Sequence, residues 1–457
     1  MSFPDTLDYG IRLASTLIPM GQGQEALAIL GDIRKRFAAG PYDPRIDLTE
    51  AEASSAVSEF QRARDAAGRV AAHPSAAKLP SLVARARLLQ ARAFTELGDS
   101  GDAIRAAGES RRLYELEHHQ RGVSMALNIL GAGQVALGDL AGSRKTYEAS
   151  LEIARELGNQ SGMASAIDSI ASIVRQQGDF DQALRLHAEA LAIRRRTGSK
   201  TGVATSLGNM ASALHERGQL SEARRYADES LALRHELKQR RGVGRAMNLL
   251  APIIRKQGDL LTAESMSREA ARILDEVGDR DSAVQARLNL GVALCDRGSK
   301  TEARKVLEEV AGEARAGSDR STLASALFAL GRLAMYQNDL AEARRHLEES
   351  FRLRHELGER SREALTRIGL AELTIGENRP GAGELLARQA IEEFRKERVV
   401  EKEAWAYAVL SRTLAAQAKT AEARKALERA TLLLREVEQR EIRLAVEKAA
   451  ETLRAAR

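Results

Sequence analysis

The chain has 457 residues, with 70 Lys and Arg against 64 Asp and Glu, for a net charge of +6. Only 4% of it is aromatic and it holds 8 prolines, while 29% is charged and 44% apolar; this suits long solvated helices, disfavours sheets and excludes a disordered chain. The basic excess is small and spread out, so it permits acidic partners without demanding nucleic acid, and no apolar run approaches the length of a membrane span.

At the amino terminus, Asp5 and Asp8 stand where an export signal would carry positive charge, and no long apolar stretch follows. A cytoplasmic protein is expected. Ala14, Gly21 and Ala26 mark a first helical hairpin over 5 to 38, with offsets that recur downstream. Pro41, Pro44, Pro74 and Pro80 then bracket a short amphipathic pair at about 46 to 72, an irregular second hairpin. Gly21-Gln-Gly-Gln-Glu-Ala26 superficially matches a dinucleotide fingerprint, but it follows a helix where that motif needs a strand, so it reads as a turn.

From residue 79 onward the sequence repeats every 40 residues. Glycine recurs at Gly98, Gly138, Gly178, Gly218, Gly258 and Gly298, and the phase continues as Asn338 and Asn378 before fading at Ala418. Five residues after each glycine stands a small residue (Ala103, Ser143, Ala183), seven before it another (Ala91, Gly131, Ala171), and twelve after it a third (Ser110, Ser150, Ala190). Small side chains at fixed points let two helices approach closely. Between the glycines, apolar residues such as Val123, Leu127, Leu130 and Leu137 fall at helical spacing. Gly138 supplies a left-handed helix end and Asp139 a cap for the next helix. A second break at Gly158, Gly198, Gly278 and Gly358 gives each repeat two helices.

These small-residue sets around a helix–Gly–Asp–helix turn resemble the tetratricopeptide repeat, in the lengthened form found in kinesin light chains and bacterial sensor arrays. The stretches Ala126–Gly131 and Gly178–Ala183 carry it most clearly, and it spans about Leu79 to Val437. The family's early Trp and closing Pro are absent, and its standard period is 34. The resemblance implies an all-α, right-handed superhelical α-solenoid of about eleven hairpins with a C-terminal capping helix. The expected divisions are 1–78 for the degenerate hairpins, 79–437 for the regular array and 438–457 for the cap.

The same resemblance implies that first helices line a concave groove where a peptide or partner protein binds. The ladder ten residues before each turn glycine includes Asn128, Asp168, Gly208 and Asn248, then Phe328; the ladder three residues before it includes Arg175, His215 and Arg255, then Met335. Ser172 and Ser212 lie between. The expected groove is polar and basic toward its amino-terminal half and apolar beyond, suited to an acidic or amide-rich segment with hydrophobic anchors. The alternative is that the apolar rungs are inter-repeat core and the polar ones merely hydrated.

No catalytic constellation is legible. The histidines show no metal-ligand spacing, and His235-Glu236 echoes as His355-Glu356 one duplicated segment later. Cys295 reads as a buried thiol. Arg194 to Arg196, Arg224-Arg225 and Arg344-Arg345 read as a solvated outer face on second helices. Trp405 and Tyr407 read as terminal core. The expectation is a scaffold or sensor without enzymatic activity, metal or cofactor. Two alternatives remain, a nucleic-acid-associated regulator using the arginine-rich surface and a receptor for a signalling peptide or small ligand.

Overall fold

The computed structural model describes residues 3–18, 20–37, 42–74, 76–317, 319–436 and 438–455; Pro41 and the expected boundary at Val437 lie outside them. Among the described residues the chain is 23 α-helices, with two short 3-10 turns and no strand. Four shorter helices come first, α1 (Phe3–Leu17), α2 (Gly23–Arg36), α3 (Pro44–Ala56) and α4 (Phe60–Ala72). Five pairs follow, α5 (Pro80–Leu97) with α6 (Ser100–Leu116), α7 (Gln120–Ala136) with α8 (Leu140–Glu156), α9 (Gln160–Gln176) with α10 (Phe180–Arg196), α11 (Lys200–Arg217) with α12 (Leu220–Glu236), and α13 (Arg240–Gln257) with α14 (Leu260–Glu276). Four more are α15 (Arg280–Arg297) with α16 (Lys300–Ala316), α17 (Arg320–Tyr336) with α18 (Leu340–Glu356), α19 (Arg360–Gly376) with α20 (Pro380–Glu397), and α21 (Val400–Ala415) with α22 (Thr420–Leu433). A lone helix, α23 (Arg440–Ala455), ends the array. The architecture is an all-α solenoid of eleven hairpins with a trailing helix, in two compact units. One holds the residues up to Val174 with Arg185–Gly198, the other Arg175–Leu184 with everything from Ser199 onward.

The turn glycines do what their spacing requires. Gly98, Gly138, Gly178, Gly218, Gly258 and Gly298 have φ between 83° and 101°, and Asn338, Asn378 and Ala418 hold the same left-handed conformation at 61°, 60° and 61°. At Gly138 the N–H bonds Val135 O at 2.9 Å and that of Asp139 bonds Gln134 O at 2.9 Å, closing α7 in a Schellman arrangement. Asp139 then accepts from Gly142 N at 2.8 Å and caps α8.

The small-residue sets meet inside each hairpin, where size is balanced across the contact. A Cβ on Gly131 would lie 2.8 Å from the Tyr147 ring, one on Gly291 2.6 Å from Leu307, and one on Gly331 2.7 Å from Leu347. At Ala211 the counterpart is the equally small Ala227, and both are buried. The serines satisfy themselves on the facing helix. Ser110 donates to Ala84 O at 2.8 Å, Ser230 to Ala204 O at 2.7 Å and Ser350 to Ala324 O at 2.7 Å. The irregular α3–α4 hairpin buries two carboxylates, Asp47 and Glu50, and neutralises them with Arg34 and Arg69 at 2.5–2.8 Å.

Candidate functional site

In the first unit, the inner-ladder residues on α7 and α9 are Asn128, Asp168 and Ser172. Asn128 is half-buried, and its Oδ1 is shielded without a hydrogen-bond partner among the described residues. Asp168 is only 5% exposed. A buried carboxylate needs a counter-charge, and the second helix supplies it, with His187 Nδ1 at 2.7 Å from Oδ1 and an ion pair from Arg194 to Oδ2. The sequence reading of Arg194 as an outer-face residue is thereby corrected. Its side chain is 11% exposed and turned inward, because Asp168 attracts it across the hairpin. Ser172 donates to its own helix at Asp168 O, 3.0 Å away, and stays half-buried.

In the second unit the polar rungs are joined one repeat to the next. Arg175 pairs with Glu216, Arg255 with Asp296, and Asn289 Nδ2 donates to Asn248 Oδ1 at 2.7 Å, each pair 41 residues apart on adjacent first helices. Ser212 is half-buried. His215 Nε2 is shielded and has no hydrogen-bond partner among the described residues; burial, with Lys256, Arg255 and Lys402 nearby, holds this imidazole well below its ordinary pKa and neutral. Phe328 carries the Arg354 guanidinium 5.1 Å from its ring centroid. Phe328 and Met335 both pack against the cluster of Ala334, Leu347, Leu370 and Leu373. Cys295 is half-buried, and burial pushes its thiol up to about 11, so it is protonated at neutral pH.

The inner ends of these helices also meet the C-terminal segment. Glu441 of α23 pairs with Arg332 of α17 at 2.5 Å, and the same guanidinium lies 5.4 Å from the Trp405 ring centroid on α21. Trp405 is core, 7% exposed. Glu401 approaches Gly218 so closely that a Cβ there would meet its carboxylate oxygen at 2.9 Å, and Arg440 similarly abuts Gly258 at 3.0 Å. Glu401 is 3% exposed, and burial raises its pKa; burial likewise brings Lys256 down to about 8. Burial alone would raise Glu441 too, but Arg332 and Arg255 hold it below the usual carboxylate range. Part of the surface expected to be an open groove is thus covered by the chain's own last hairpin and trailing helix. Sequence reasoning passed over Lys256, Arg332, Glu401 and Glu441 because their partners lie outside the 40-residue register.

Other arginines of the expected outer face have polar neighbours. Arg344 pairs with Glu348 at 2.7 Å and with Glu377, Arg196 donates to Gln160 at 2.8 Å, and Arg224 to Gln257 at 3.1 Å. Among the described residues no helix is long and apolar enough to cross a membrane.

Family models described as tetratricopeptide repeat match residues 122–196 and 162–236, and again 284–312 and 323–361. No curated protein matches the sequence. Among solved structures, the fold is similar to the apo form of the quorum sensor NprR from B. thuringiensis, at 13% identity and TM-score 0.53 over 77% of this chain and 98% of that one. It is similar to aspartyl phosphate phosphatase F from Bacillus subtilis at 11% identity and TM-score 0.51, covering 78% and 95%, and to apo RapI at 12% and 0.50, covering 77% and 98%. The phosphatase corrects the expectation of a chain without enzymatic activity, because a protein named for a hydrolytic reaction has this architecture and the missing local motif therefore excludes nothing. The glycine turns, the paired small residues and the matched stretches agree: the chain carries tetratricopeptide repeats over residues 122–236, 284–312 and 323–361.

Proposed function

We propose that the chain is a scaffold or sensor that binds a peptide or a segment of a partner protein along the inner rungs of its first helices. The observation that carries this reading is that polar side chains on the ladder positions join first helices of neighbouring repeats, Arg175 with Glu216 between α9 and α11 and Asn248 with Asn289 between α13 and α15. Packed helices lie about 10 Å apart and an extended peptide advances about 3.3 Å per residue, so every third ligand residue meets a rung. In the second unit Ser212 of α11 offers a half-buried polar contact and Phe328 and Met335 of α17 offer apolar ones; in the first unit Asn128 of α7 and Ser172 of α9 offer half-buried polar contacts. The likeness to a quorum sensor supports a sensing role.

Ser172 and Ser212 test the reading cleanly. Ser172 bonds only a carbonyl of its own helix and both are partly exposed, so a longer side chain there leaves the core alone. Ser172→Arg and Ser212→Arg, each made separately, are expected to weaken capture of the partner in a pull-down by roughly tenfold or more, with unchanged far-UV circular dichroism. Undiminished capture by both overturns the assignment.

A further inference from the structure

We propose that Gly208 and Arg234, in the α11–α12 hairpin, form a subsite for a carboxylate of the bound peptide. This rests on the peptide-binding reading above and names the chemistry that one of its rungs selects.

The same second-helix position holds arginine in three hairpins, Arg194, Arg234 and Arg354, and 26 residues earlier the first helix presents Asp168, Gly208 and Phe328. Two of the three guanidinium groups are provided for within the chain. Arg194 pairs with Asp168. Arg354, 3% exposed, donates to Arg362 O at 2.6 Å and Thr366 Oγ1 at 2.7 Å and lies over the Phe328 ring. Arg234 has only a long contact from Nε to Ser230 Oγ at 3.4 Å, and no carboxylate among the described residues pairs with it. Arg245 nearby adds a like charge, although Arg245 itself shares Asp279 with Arg241.

Gly208 is not required by packing. A Cβ there would meet only Ser230 Oγ, at an ordinary 3.6 Å, and glycine inside a helix costs about 1 kcal/mol relative to alanine. No other side chain lies within 4 Å of that position, and the same Ser230 Oγ is 3.4 Å from Nε of the half-buried Arg234, whose Nη1 rests against Gly242. Ser230 already donates its proton to Ala204 O, so Arg234 is the donor a carboxylate would meet. A ligand carboxylate entering over Gly208 takes, relative to Arg234, the place that Asp168 takes relative to Arg194.

The test uses the full chain and two probes, a labelled peptide of alternating Glu and Leu and its Gln–Leu counterpart, followed by fluorescence polarisation. The Glu peptide is expected to bind roughly tenfold more tightly than the Gln peptide. Gly208→Asp, which builds the Asp168–Arg194 pair one repeat later, and Arg234→Gln should each abolish that difference, while Gly208→Ala preserves it. Equal affinity for the two peptides overturns the subsite and leaves the groove standing; absence of binding by either overturns both. Independently of any peptide, the Arg234 Nε–H resonance in the wild type should shift on titration with acetate against a chloride control and stay fixed in Gly208→Asp. A resonance that ignores acetate overturns the subsite.

Discussion

Glu438 caps helix α12 from 217 residues away. Its Oε2 accepts from Ser221 N at 2.9 Å and from Ser221 Oγ at 2.7 Å. Three other second helices are capped locally, by Asp139, Asp259 and Asp339, whereas Gln219 at the corresponding position, like Asp99 and Ser299, makes no side-chain cap bond. A carboxylate at a helix N-terminus satisfies orphan amides and complements the dipole, so the terminal segment provides what the local sequence lacks.

It follows that Glu438→Ala should lower stability by about 1 kcal/mol, the usual cost of a lost cap. Gln219→Asp should restore it by capping α12 locally. Urea denaturation of both single variants and the double variant checks this; additive effects with no coupling would show that Glu438 does not act through α12.

Ala418 holds φ at 61° where six earlier repeats have glycine. The left-handed conformation costs a Cβ-bearing residue roughly 1–2 kcal/mol. Ala418→Gly is therefore expected to stabilise the protein by about 1 kcal/mol, and Lys238→Gly, at φ 53°, to do likewise. Thermal melts of the two variants that coincide with or fall below the wild type would contradict this.

Gly131 faces the ring of Tyr147, which is 5% exposed and cannot move aside freely. Gly131→Ala should cost about 1–3 kcal/mol through overpacking. Adding Tyr147→Ala recreates the Ala211–Ala227 pairing, so the second substitution should cost less in the Gly131→Ala background than alone. Equal costs in both backgrounds would remove the steric argument.

Asp279 governs part of the acid response. Burial acts to raise its pKa, but Arg241 and Arg245, at 2.8 and 2.7 Å, bring it down to about 2 from an ordinary 3.8. A carboxyl depressed in the folded state contributes stability that is complete above its unfolded pKa and disappears as pH falls through the folded one. The shift corresponds to roughly 2 kcal/mol, present at neutral pH and lost between about pH 4 and pH 2. Asp279→Asn should be less stable at pH 7 and show a shallower decline over that acid window. Parallel pH–stability curves for variant and wild type would exclude this role.

The sequence by itself determined the repeating unit. Helix breaks, left-handed turns and close helix–helix approaches are local demands, each met by a residue type at a fixed offset, and Gly138, Asp139, Gly131 and Ser150 announce them without reference to distant chain. It also placed Asp168 and Arg175 on α9 and Arg255 on α13 at positions fixed by the repeat. Only the tertiary structure decided how those side chains are used. Asp168 became a buried partner of His187 and Arg194, and Arg332 met Glu441, because the desolvation of a charge depends on everything packed around it. Those neighbours come from other helices, and for Arg332, Glu441 and Glu438 from segments whose spacing has no relation to the 40-residue period.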